Sequence, residues 1–149
     1  LMVFSVTITI IGPSAINTYL PLPLFLSKVS AGFPSPADDY IDGGLDLNEH
    51  LIEHPSATYF ARASGDSMIE LGIFCGDLLV VDRAVQASDG DVVVVSVDGQ
   101  LTIKVLDLAH GQLLPANSNY SPIRVSPDSQ LETEGVVVHA IHSYRRAAQ

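Results

Sequence analysis

Two residues in this chain have side chains suited to acyl transfer if the fold brings them together. They are Ser67, in Ser64-Gly65-Asp66-Ser67-Met68, and Lys104, in Thr102-Ile103-Lys104. A serine hydroxyl is a weak nucleophile until a base takes its proton. A lysine amine can be that base when burial penalises its ammonium form, with shifts of roughly 3 to 5 units for fully buried groups. Gly65 permits a tight turn before the serine, and main-chain N–H groups at the start of a short Met68-Ile69 helix can hold an oxyanion. Taken singly, a serine in such a place more often serves a turn or caps a helix. A single strand lysine more often stands in solvent. The chemistry therefore depends on the elements that carry the two residues.

Those elements read as mainly β, with little helical periodicity. Tyr59–Ala63 and Leu78–Asp82 are short strands flanking the serine, and Ser67 opens a helix-like segment through Ile73. Val92–Val97 and Leu101–Leu108 flank Asp98-Gly99, a strong two-residue hairpin signal. In the second of these strands Leu101, Ile103 and Val105 share one face, and Thr102, Lys104 and Leu106 share the other. Both faces are otherwise apolar, so Lys104 must either reach out to water or have a task inside. Gln112–Leu114, Ile123–Val125 and Gly135–Tyr144 add further strands, and Asp46–Glu53 makes a short helical turn before His54-Pro55. Residues 20–43 read as an extended, poorly packed arm: Pro21, Pro23, Pro34 and Pro36 favour extended backbone, and Gly32, Gly43 and Gly44 loosen it.

Composition narrows the function classes. The 149 residues suit one domain with a modest tail, and the single cysteine, Cys75, leaves no disulfide framework. Seven Lys and Arg against 17 Asp and Glu give a formal charge of -10, which a phosphate backbone would repel, so direct nucleic-acid binding is not expected. No histidine or cysteine spacing suggests a metal site, and no cofactor is implied. Cys75 reads as a small buried residue, and the five histidines as surface or satisfied residues. Asp66 is a candidate cap for the turn that follows it. Met2–Ile11 is an apolar run, too short to span a bilayer as a helix and interrupted by Gly12-Pro13. Val29-Ser30-Ala31 has the small residues of a signal cleavage site, but no basic residue precedes Lys28 and Pro21 and Pro23 break the apolar stretch. A cytoplasmic protein is the expectation.

The sequences "SGDSM", "GDLLVVD", "DVVVVSVDG", "TIK" and "LLPANSNYSPI" together resemble the LexA and signal-peptidase clan of Ser-Lys proteases. The stretch "AGFPSPADDYIDGGLDLNEHLIEHPSATYFARASGDSM" resembles the UmuD family within that clan, and the match runs from about Pro23 to His142. The resemblance implies a compact β fold like the LexA C-terminal domain, with a flexible N-terminal arm. It implies Ser67 as nucleophile, Lys104 as general base and an oxyanion hole from the main-chain N–H groups of Asp66 and Ser67. Such proteins cleave themselves between a small residue and glycine, and Ala31-Gly32 stands where that bond is expected. UmuD-like chains often carry cysteine at the first of these positions, whereas alanine is the LexA-type choice. Cleavage there would divide the chain into an arm, residues 1–31, and a core, residues 32–149. The further implications are a homodimer, stimulation by a RecA filament on single-stranded DNA, and a UmuC-like Y-family polymerase as partner in error-prone lesion bypass.

Two other functions share part of this pattern. A signal peptidase would use the same dyad at a membrane, but would carry an anchor and a basic residue after the lysine, where Val105 stands. A non-catalytic binding module would keep the fold and act through protein contacts alone. A repressor is disfavoured, because the stretch before Ala31 is too short for a helix-turn-helix module.

Overall fold

The computed structural model describes residues 7–13, 19–25, 41–125 and 131–145. Among these residues, ten strands and one short α-helix follow in chain order: β1 (Thr7–Pro13), β2 (Leu22–Phe25), β3 (Ile41–Leu45), α1 (Leu47–Leu51), β4 (Thr58–Ser64), β5 (Leu78–Asp82), β6 (Val92–Val97), β7 (Gln100–Asp107), β8 (Gln112–Leu114), β9 (Ile123–Arg124) and β10 (Leu131–Ile141). Eight of the strands form one antiparallel sheet in the order β1-β4-β5-β10-β6-β7-β8-β9, and β2 and β3 pair separately. The large sheet curls until β1 also meets β7, through Thr7 and Thr102. The mainly β expectation holds, and the strands flanking the serine fall within a residue of their expected places.

Turn chemistry sets the hairpin that carries Lys104. Asp98 and Gly99 both have positive φ, at 51° and 82°, which is the conformation a two-residue turn of type I′ needs. Val97 therefore pairs with Gln100, and the register runs on to place Lys104 opposite Val93. The two faces of β7 then enter different packing layers. Ile103 joins Tyr59, Ala61, Ala63, Met68, Ile73, Leu79, Val81 and Val94 in one core, against which Leu101 and Val105 pack. Leu106, on the Lys104 face, packs against the second cluster of Val93, Val95, Leu113 and Val136.

Two details add to the sequence reading and two depart from it. β1, which falls within the arm, is a strand of the large sheet, paired with β4 from Thr7↔Ser64 to Pro13↔Tyr59. Within residues 20–43, read as extended and poorly packed, β2 pairs with β3. The helix after Ser67 shrinks to a single 3₁₀ turn, Ile69–Leu71, closed by Gly72 in the left-handed conformation. Cys75 is exposed, because it sits in the loop joining that turn to β5 and not on a strand face.

β10 serves two neighbours in succession, β6 through Leu131–Val136 and β5 through Val136–Ile141, and it shifts register next to Gly135. Gly135 has φ +141°, and a Cβ there would lie 2.7 Å from Val81 Cγ1 and 3.3 Å from the Asp82 carbonyl oxygen. Replacement by alanine therefore combines backbone strain with overpacking, together about 2 to 4 kcal/mol. Gly135→Ala is expected to lower the urea midpoint by that amount of stability with the slope of the transition unchanged.

Candidate active site

Ser67 lies in a loop that the sheet holds shut at its base. Ala63, near the end of β4, accepts a hydrogen bond from Gly76 N–H at 2.8 Å and donates its own N–H to the Asp77 carbonyl at 2.9 Å. Residues 64–76 are thereby closed into one excursion of the chain. Gly65, with φ +95°, makes the turn into the serine that the sequence suggested. Met68, fully buried, anchors the far side of the turn in the core, a burial that contributes about 1.5 to 3 kcal/mol. Its carbonyl accepts from Leu71 N–H at 3.1 Å and Ile73 N–H at 3.3 Å. The Asp77 carboxylate is buried as well. It accepts Phe74 N–H at 2.8 Å through one oxygen and meets His142 Nδ1 through the other, which ties the loop to the chain beyond β10.

β7 delivers Lys104 to the serine. Both side chains are fully buried, and Nζ stands 3.4 Å from Ser67 Oγ. That separation is at the long end of hydrogen bonding, as is common in sites with no substrate present. Among the described residues no carboxylate forms an ion pair with Lys104. Desolvation therefore acts unopposed and brings the lysine pKa down from 10.5 to about 8. A difference of about 2.5 units raises the neutral fraction of the amine at pH 7 by roughly 300-fold. The arrangement can transfer a proton from a serine hydroxyl to an uncharged amine in a water-poor interior.

Asp66 precedes the serine, and its role differs from the expected cap: its carboxylate accepts from Tyr120 Oη. Ala31 and Gly32 lie outside the described residues. Within "LLPANSNYSPI" the sequence alone assigns no residue a task. The structure sets Ala116, Asn117, Ser118 and Tyr120 of that stretch against the serine loop. Two of the other histidines pair with carboxylates. His54 meets Asp82 at 2.6 Å, which raises the His54 pKa, and His110 meets Asp107 at 3.0 Å. No helix among the described residues is long and apolar enough to cross a membrane.

Residues 23–138 match the family described as Peptidase S24-like. Protein ImpA of Salmonella typhimurium is 44% identical over 133 residues, which cover 89% of this chain and 91% of that protein. Protein SamA of Salmonella typhimurium strain LT2 is 46% identical over 124 residues, 83% of this chain and 86% of that protein. The LexA repressor of Stenotrophomonas maltophilia is 39% identical over 126 residues, 83% of this chain but 59% of the repressor. The chain belongs to the Peptidase S24-like family of self-cleaving serine peptidases. Within that family it is a UmuD-like protein of SOS mutagenesis.

Burying a lysine has a measurable cost. The folded chain releases the Lys104 proton near pH 8, whereas the unfolded chain keeps it to about pH 10.5. Between those values the unfolded state binds more protons, so the contribution of this residue to stability rises with pH. Below pH 8 the penalty is about 3 kcal/mol, from about 2.5 units at 1.36 kcal/mol each. Lys104→Met is expected to stabilise the fold by about 2 to 3 kcal/mol at pH 7, with the gain vanishing towards pH 10.5. Denaturant titrations of both proteins at pH 7 and pH 10 check this.

Proposed function

We propose that Ser67 and Lys104 are a catalytic dyad that cuts this chain between Ala31 and Gly32, separating an arm, residues 1–31, from the core, residues 32–149. The observation that carries the reading is the buried Nζ of Lys104 set 3.4 Å from Ser67 Oγ, with no carboxylate among the described residues paired to it. Neutral Lys104 accepts the hydroxyl proton as Oγ attacks the Ala31 carbonyl carbon. The resulting oxyanion is held by the main-chain N–H groups of Asp66 and Ser67. When the intermediate collapses, the bond to the Gly32 nitrogen breaks and the Lys104 ammonium gives that nitrogen its proton. A serine ester of Ala31 remains. Water, losing a proton to Lys104, then hydrolyses the ester to leave a carboxylate on Ala31 and free Ser67.

The family membership and the site support a wider role in which the trimmed core dimerises and joins a Y-family polymerase of the UmuC type in lesion bypass. A RecA filament on single-stranded DNA would act as trigger without supplying a catalytic group, by favouring the conformer in which the Ala31-Gly32 bond occupies the cleft.

Mass spectrometry of the purified chain held between pH 7 and pH 10 tests the chemistry directly. The expected products are residues 1–31 and 32–149, formed at a rate that rises with pH through about 8 and then levels as Lys104 becomes fully neutral. Ser67→Ala and Lys104→Ala should each leave the chain intact. Cleavage at another bond, or by the Ser67→Ala protein, would overturn the assignment.

A further inference from the structure

The loop that follows β8 grips the serine turn on both sides of Ser67. Asn117, buried itself, donates its side-chain Nδ2–H to the Asp66 carbonyl oxygen at 2.8 Å. Ala116 donates its N–H to the Ser67 carbonyl at 2.7 Å, so both peptide units flanking the nucleophile are held by adjacent residues of one segment. Further bonds lock that segment in place. Glu70 N–H donates to the Ala116 carbonyl at 2.8 Å, Ser118 N–H donates to the Glu70 carboxylate at 2.8 Å, and Tyr120 Oη donates to the Asp66 carboxylate. The Asn117 amide has its orientation fixed from its other end, because Oδ1 accepts Asn119 N–H at 2.9 Å. That bond leaves Nδ2 as the atom facing Asp66.

Peptide geometry turns this grip into a statement about catalysis. A trans peptide is planar, and its C=O and N–H point in opposite directions. The Asp66 carbonyl and the Ser67 N–H belong to the same unit. The Asp66 carbonyl also accepts Ile69 N–H at 3.3 Å, but the shorter bond is the one from Asn117, so fixing the carbonyl on Asn117 fixes the direction of the Ser67 N–H on the opposite side. Accepting a hydrogen bond at the carbonyl also polarises the unit and strengthens the N–H as a donor. We propose that Asn117 is a positioning residue for self-cleavage, which aims the Ser67 N–H at the oxyanion by holding the other end of its peptide bond. The inference rests on the self-cleavage reading above and extends it to a residue outside the dyad. The Tyr120 bond to Asp66 keeps that hydroxyl protonated beyond the ordinary tyrosine range, so the clamp persists through the pH range in which cleavage is measured.

The test follows self-cleavage of the full chain from pH 7 to pH 10 for the unaltered protein, Ser67→Ala, Asn117→Ala and Asn117→Asp, with circular dichroism recording the folded fraction. Asn117→Asp keeps the acceptor for Asn119 N–H but presents an oxygen to the Asp66 carbonyl, so it removes the grip and spares the turn. Loss of an oxyanion donor costs roughly 100- to 1,000-fold in rate. Misaiming one should lower the plateau rate of both Asn117 variants by roughly 30-fold or more, with the inflection near pH 8 unmoved. A merely structural residue would change the folded fraction and leave the plateau rate of the folded protein alone. Plateau rates within threefold of the unaltered chain, an inflection that moves with the substitution, or failure of both variants to fold would each overturn the positioning role. If Ser67→Ala is inert and the Asn117 variants cleave normally, only this inference fails. If the unaltered chain does not cleave, the underlying reading fails and takes this one with it.

Discussion

The structure depends on one unfavourable act, the withdrawal of a lysine ammonium from water with no carboxylate among the described residues to meet it. An ion pair would have made that burial easier, but it would also have held Lys104 charged and removed its use as a base. The fold instead leaves the desolvation uncompensated and supports it with surrounding apolar strands. Val93 opposite Lys104 on β6, Val95 opposite Thr102, and Leu113 on β8 make the interior that water does not reach. The hydrophobic packing around the site is therefore part of its electrostatics, because it sets the proton affinity of the amine.

The serine side of the site answers a different constraint. A nucleophile on a turn must be held firmly enough to meet its base, and turns lack the ladder bonds that hold strands. This chain closes the turn at three places. Ala63 seals its base against Gly76 and Asp77, Met68 pins its crest in the core, and residues 116–120 brace it from outside. The buried Asp77 does for the loop what Asp82 does at the opposite end of β5, where its carboxylate caps Ala84 N–H at 2.8 Å and meets His54. Both ends of that strand are held by a carboxylate satisfied partly by backbone and partly by a histidine.

Much of this was legible in the sequence where the signal is local. Asp98-Gly99 announces its hairpin because few residue pairs tolerate two positive φ values in succession. The face alternation of β7 follows at once and correctly separates Lys104 from Ile103. What stayed hidden depends on distant partners. β1 offers a plain apolar run, and only the strand edge 50 residues further on makes it part of the sheet, as the pairing of Thr9 with Arg62 illustrates. Asn117 looks like any turn asparagine until the fold brings it to a carbonyl 51 residues away. The exposure of Cys75 is a related case: cysteine usually packs inside, but the loop between Gly72 and Asp77 gives it no interior to enter.

The pairing of β1 with β4 looks different in terms of mass action. While the chain is continuous, the strand is tethered to its own docking edge, which makes the pairing intramolecular. The proposed cut lies between the two strands in sequence, so it would make the same pairing bimolecular. Retention of β1 would then depend on dilution and on competitors. Its release would leave the N–H and C=O groups along that side of β4 open to another extended segment. One peptide bond would thus control whether this edge of the sheet answers to its own chain or to its surroundings.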